Sequence, residues 1–193
     1  MSLTAEKVTA PTLTYEQYLA EGEINRRYDI LNGVRIWMAN PTVRHQDVLL
    51  NIATAFRNFG REKGQGRVVV AACDVLITRY PLRTRQPDVL FISHARFGDR
   101  DPLLPDALDL APELVVEILS PSDTKRVLED KIAEYCAVQV RECWVVNMDL
   151  QTVEALRLTV DSVESVAVYA SGELVRSLAF PELSVAVSDI FAL

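Results

Sequence analysis

Hydrophobic and polar positions recur along the chain with a period of two or of three to four, and the changes of period mark its elements. Thr14 and Gln17 have the spacing of a capping box and predict a short helix through Leu19 that ends near Gly22. Residues 27–39 hold two short apolar runs around Asn32-Gly33, the preferred pair for a tight hairpin turn. Asp29 lies in the first run, between Tyr28 and Ile30. The longest helical pattern covers residues 43–63, with Val48, Leu49, Ile52, Ala53, Phe56 and Phe59 on one face and glycines at 64 and 66 to end it. His45 falls in its first turn and reads as a surface or capping histidine rather than a catalytic base, though placed where it could approach a substrate.

Strand patterns then follow at 67–72, 74–78 and 88–93, the last entered through Gln86-Pro87. Residues 94–112 alternate Asp, Leu and Pro and read as a surface loop. A strand at 113–119, apolar but for its acids, and a helix through Lys131 to Tyr135, N-capped by Ser122, come next. Strands at 143–147, 152–158, 163–169 and 173–178 complete the pattern, with an apolar tail through Phe191 that packs back on the body. Trp37 and Trp144 read as core residues, His94 as loop surface and Asp74 as a strand-edge or turn acid. This order predicts one α/β domain over residues 13–193: a mixed sheet, helices packed on it, and an antiparallel meander at the C-terminal end. Residues 1–12 read as a loose tail.

One acid breaks the apolar pattern. Glu117 has Val115, Val116, Ile118 and Leu119 around it, a run that a sheet covers on both faces. An ionised carboxylate is costly there unless a cation or hydrogen-bond donors face it, or its pKa rises. The next helix supplies a partner. Val127, Leu128, Ile132, Tyr135 and Cys136 form its apolar face, and Lys131 falls inside that arc; Arg126, Glu129, Asp130 and Glu134 take the other face. A second acid, Asp88, lies on the preceding strand pattern. Two carboxylates in one place repel unless a cation separates them. Magnesium or manganese, which prefer oxygen ligands, would suit that position.

Composition narrows the classes. No apolar run reaches the ~18 residues of a membrane span. Three cysteines and two histidines lack zinc-ligand spacing, and free thiols suit a reducing, cytoplasmic interior. The net charge of −7 argues against a general nucleic-acid binder. Its distribution is uneven: residues 1–100 hold 14 Lys/Arg against 10 Asp/Glu. Arg79, Arg83 and Arg85 in that half predict one positive face, or ordinary solvated loop arginines.

The residues resemble the PD-(D/E)xK nuclease superfamily, and within it the Uma-type family of restriction-endonuclease-like proteins. The matching segments are Arg27-Tyr-Asp-Ile-Leu-Asn-Gly33, Arg44-His-Gln46, Gln86-Pro-Asp-Val89, Pro112-Glu-Leu-Val-Val-Glu-Ile-Leu-Ser-Pro-Ser122, Lys131 to Tyr135 and Glu142-Cys-Trp-Val-Val146. The resemblance implies a restriction-endonuclease-like fold, a homodimer, and a magnesium-type site acting on DNA. Asp88 and Glu117 would be the metal ligands. Leu119 stands where the parent motif has lysine, and Lys131 on the helix takes that role. Asp29 occupies the acidic position of the hairpin motif. Two readings follow. In one the chain is a metal-dependent endonuclease that uses Asp29, Asp88, Glu117 and Lys131. In the other it is a non-catalytic dimerising or binding module in which Glu117 and Lys131 form an internal ion pair.

Overall fold

The computed structural model describes residues 12–22, 24, 26–103, 109–120 and 123–192. The tail expected over residues 1–12 lies, except for Thr12, outside the described residues, and so does Ser122.

The chain opens with helix α1 (Tyr15–Ala20), whose Thr14–Gln17 capping box forms as expected. Strands β1 (Tyr28–Leu31) and β2 (Val34–Trp37) form the hairpin. Asn32 and Gly33 both adopt positive φ, 52° and 77°, which the turn requires and which Asn and Gly tolerate best. Helix α2 (Val43–Lys63) is capped by Thr42, which accepts the His45 N–H, and stops at Gly64 in the left-handed region with φ of 61°. Strands β3 (Gly66–Val70), β4 (Val75–Thr78), β5 (Arg83–Arg85) and β6 (Val89–Ser93) follow, then the short helix α3 (His94–Phe97). The second half holds β7 (Leu114–Ile118), α4 (Lys125–Ala137), β8 (Glu142–Asn147), β9 (Thr152–Leu158), β10 (Val163–Tyr169), β11 (Leu174–Arg176), β12 (Ser184–Ala186) and α5 (Val187–Ile190).

The main sheet has the order β10-β9-β8-β7-β6-β3. Only β7 and β8 run parallel, because α4 returns the chain between them; every other neighbouring pair is antiparallel. The mixed α/β sheet and the terminal antiparallel strands agree with expectation. A second sheet, β2-β1-β5-β4, places the hairpin beside β5. The strands β11 and β12 form a separate ladder, so the last predicted strand pairs with the chain end rather than with β10.

Alternation along the strands divides the core. One face of the main sheet, with Val89, Phe91, Val116, Trp144 and Val146, packs under α2 and the C-terminal segment. Phe56 of α2 meets the Trp144 ring edge-on at 5.2 Å. The opposite face, with Leu90, Ile92, Val115, Cys143 and Val145, packs under Ile132, Tyr135 and Cys136 of α4. Glu117 is in phase with Val115, so it points towards α4, and Asp88 lies one residue before β6. The sheet edge meets α2 closely: a Cβ on Gly66 would lie 2.3 Å from the Ile92 carbonyl oxygen, and one on Gly60 would lie 2.7 Å from the Gly66 oxygen.

Several expectations are corrected. Thr124, not Ser122, caps α4, accepting the Val127 N–H. The 94–112 stretch includes α3, capped by the Ser93 hydroxyl; His94 within it is exposed as expected. Trp144 is fully buried, but Trp37 is 45% exposed on the hairpin. Arg83 and Arg85 are not solvated: β5 turns both towards Glu134, which the helical pattern had placed on the solvent face. A run reading Arg-Thr-Arg shows no apolar strand signal, because ion pairs rather than apolar contacts bury it.

Candidate active site

The register between β6 and β7 pairs Val89 with Val116, and the Asp88 N–H donates to the Val116 carbonyl at 3.0 Å. That places Asp88 opposite Glu117 at one end of the strand pair. Asp88 Oδ2 accepts the Ile118 N–H at 2.7 Å, while Oδ1 accepts from the Arg27 guanidinium at 2.6 Å. His45 Nε2 lies 3.4 Å from the same Oδ1. Burial works to raise the Asp88 carboxyl, but the hydrogen bond from His45, the charge of Arg27 and the Ile118 N–H outweigh it and hold Asp88 below its ordinary value.

Glu117 is 4% exposed. Its Oε2 receives the Lys131 ammonium at 2.7 Å, and its Oε1 receives the Tyr135 hydroxyl at 2.5 Å. The inward lysine read from the helical arc therefore meets the inward acid read from the strand. Lys131 and Tyr135 are one helical turn apart on α4, so both reach the same carboxylate. Burial pushes the Glu117 carboxyl up; Lys131 pulls it back and the negative charge of Asp88 adds to the rise, leaving it above the ordinary glutamate value. Burial disfavours the Lys131 ammonium, yet Glu117, Asp29 and Asp88 together outweigh it and hold Lys131 above the usual lysine range. Lys131 is thus a persistent cation and a donor, not a base.

Asp29 stands one step back. It is buried at the centre of β1, where its Oδ2 accepts from Arg85 at 2.7 Å and its Oδ1 accepts the Gln86 N–H at 3.1 Å. It touches neither Asp88 nor Glu117 directly; it fixes the strand that leads into Asp88 and acts on Lys131 through its charge. Arg85 also pairs with Glu134 of α4. The chain Asp29–Arg85–Glu134 ties the hairpin sheet to the helix that carries Lys131.

Three members of this constellation escaped the sequence reading. Arg27 and Asp88 are 61 residues apart in the chain. His45 is buried, not superficial, and its Nδ1 has no hydrogen-bond partner among the described residues. Tyr135 read only as an apolar contact. The Arg27-Tyr-Asp and Arg44-His-Gln segments held the one available signal, since both belong to the resemblance. Asp74 proves to be more than an edge acid: Tyr18 and Tyr28 donate to its Oδ2 at 3.0 and 3.2 Å, and burial raises its carboxyl.

Two other buried acids have a purely architectural setting. Glu113 holds the Ser93 hydroxyl and N–H and pairs with the half-buried Arg96 guanidinium at 3.3 Å. Glu142, fully buried, receives Trp144 Nε1 on one oxygen, and the Ser177 hydroxyl and the Leu178 and Ala179 N–H groups on the other. Neutral donors satisfy it. Glu117 differs in facing an ammonium and lying opposite a second carboxylate.

A cleft of about 860 Å3 opens beside the acids, between α1, the hairpin and β3–β4. The carboxylates do not line it. Arg27 and Gln86 do, and they separate it from Asp88.

The site thus brings together an acid one residue before β6, a second on β7 and a lysine on the crossover helix, within a mixed sheet. The solved structure described as "a putative nuclease belonging to DUF820 from Anabaena variabilis ATCC 29413" matches the fold with a TM-score of 0.74 and 20% identity, over 93% of this chain and 98% of that one. At that identity the likeness concerns the fold. The family described as "Uma2: Putative restriction endonuclease" matches residues 14–188, and the chain belongs to that family. No curated protein matches the chain.

Proposed function

We propose that the chain is a metal-dependent endonuclease that hydrolyses DNA phosphodiester bonds at the Asp88–Glu117 pair. The supporting observation is the pair itself: two buried carboxylates opposite each other, one just before β6 and one on β7, with Asp88 adding to the rise of the Glu117 carboxyl. A cation would relieve that repulsion. Their oxygen donors suit magnesium or manganese, which take few protein ligands and keep several waters. When bound, such an ion polarises a phosphoryl oxygen and acidifies a water.

The side chains then divide the work. Asp88 and Glu117 would hold the ion, which requires Arg27 to leave Asp88 Oδ1 and take up a substrate phosphate instead. The Lys131 ammonium, held by Glu117, would orient the attacking water and stabilise the negative charge that develops on the phosphoryl group. Asp29 is a positioning residue, acting through Arg85 and the Gln86 backbone. The family resemblance also supports a homodimer, and the exposed apolar side chains of edge strand β10, Val163, Val166 and Val168, give it a candidate contact.

The test is cleavage of supercoiled plasmid with magnesium or manganese and with chelator. Metal-dependent nicking is expected, with Glu117→Gln and Lys131→Met each slowing it by at least ~100-fold, the scale of losing one transition-state donor. Wild-type protein inert with every metal, or Glu117→Gln as active as wild type, would sink the proposal.

One observation favours the non-catalytic reading. All four oxygens of the two carboxylates already have protein partners, and among the described residues no three His, Cys, Asp or Glu side chains form a metal-binding group. On that reading magnesium leaves the melting temperature unchanged.

A further inference from the structure

We infer that the cleft beside Arg27 takes an unpaired stretch of DNA, so that the substrate is single-stranded or locally opened rather than intact duplex. The inference rests on the nuclease reading and deepens it. The cleft combines two guanidinium groups that have no carboxylate partner among the described residues with aromatic walls. Arg67 lines it from β3, in phase with Val69 and Ala71. Its guanidinium lies 4.1 Å from the Phe97 ring centroid. It has no carboxylate partner among the described residues, and its buried Nε has no hydrogen-bond partner among them. Arg26, also lining the cleft, lies over Trp37 at 4.8 Å and has no ion pair among the described residues. Trp37, 45% exposed, flanks the hairpin wall.

Tyr15 and Tyr18 of α1 form a stacked pair, 6.4 Å between centroids, on the facing wall. The acids of the cleft are already engaged: Asp74 with Tyr18, Tyr28 and Gln86, and Asp109 with Arg79. Arg79 neutralises Asp109, and against the one remaining carboxylate, Asp74, the cleft sets the guanidinium groups of Arg26 and Arg67. Guanidinium groups beside aromatic side chains are the equipment of single-strand binding, where phosphates meet cations and bases stack on rings.

Size and shape point the same way. At about 860 Å3 the cleft falls within the ~300–1,000 Å3 range of sites that enclose one small ligand. Duplex grooves are read by protruding helices or strands, and this surface is concave. A chain of net charge −7 is poorly suited to following a long duplex backbone, whereas a local basic pocket needs only a few phosphates. Arg27, shared between cleft and Asp88, would pass the strand's phosphate to the carboxylate pair.

The test is fluorescence anisotropy in chelator, where no cleavage occurs, with a fluorescein-labelled oligothymidylate and a duplex of equal length at several salt concentrations. The single strand is expected to bind at least ~10-fold tighter than duplex. Arg67→Gln and Arg26→Gln should each weaken it about 10-fold and reduce the salt slope by about 0.7, the share of one phosphate contact on a single strand. Arg26 is exposed, so its variant guards against a folding defect in the other. Equal or tighter duplex binding, no binding of either probe, or wild-type affinity in both variants overturns the inference. Cleavage in magnesium without single-strand preference would refute this inference alone; single-strand preference without cleavage would refute the nuclease reading alone.

Discussion

Glu117 carries two opposite demands at the scale of a single residue. Its fold position excludes water, and its charge requires company. Removing Lys131 should therefore cost more than an ordinary surface ion pair. Lys131→Ala should destabilise the protein by about 3–5 kcal/mol at neutral pH, because it leaves a buried carboxylate facing only Tyr135. Urea denaturation measures it. The pH dependence has a definite sign. Glu117 has a raised native value, so between its unfolded and native values the native state keeps a proton that the unfolded state has lost; its contribution to stability falls as pH rises through that window. Asp88 behaves oppositely: its native value is lowered, so its contribution is present above its unfolded value and lost as pH falls through the native one. Glu117→Gln should remove the first decline and Asp88→Asn the second, in urea midpoints followed against pH. The Glu117–Lys131 pair was legible because strand phase and helix phase are local properties. Arg27 and His45 were not, because their place depends on how distant elements dock.

Among the elements, the close contact between the start of β3 and the C-terminal end of β6 sets a steric limit. Gly66 approaches the Ile92 carbonyl, the next strand's backbone, which cannot yield as a flexible side chain would. Gly66→Ala should destabilise by about 1–3 kcal/mol or more through overpacking, read as a lowered urea midpoint. Long, strongly periodic elements such as α2 and the β1–β2 hairpin were readable from the chain because their own residues bury one face or demand one turn. Three-residue β5 was invisible. Its stability comes from Asp29 on β1 and Glu134 on α4, which no local pattern reports. The α4 cap was misplaced by two residues for a related reason: Ser and Thr cap equally well, and the competing Ser120–Asp123 bonds show that this stretch has other turns to make.

For the whole molecule, the decisive question is whether an ion binds the folded chain. Ligand binding to the native state alone adds about 2.7 kcal/mol when free ligand is a hundred times its dissociation constant. For a domain of this size, that corresponds to a rise in melting temperature of about 5–10 °C. Magnesium or manganese should produce such a shift in scanning calorimetry, and Asp88→Asn should abolish it. No shift at saturating metal would support the internal ion-pair reading. The described residues hold no helix long and apolar enough to cross a membrane. That Asp88 and Glu117 belong to neighbouring strand segments was readable from the chain; the second sheet was not, because its closure depends on charges exchanged between remote segments.

The clasp around Glu142 has a consequence for the end of the chain. Residues 177–179 surround an acid in the middle of the molecule, so the last stretch acts as a plug rather than a trailing appendage. Clipping the chain before Ser177 would leave Glu142 with Trp144 Nε1 alone and strip those three donors from its other oxygen. Shortening from that end should therefore be intolerable well before it reaches any residue concerned with chemistry.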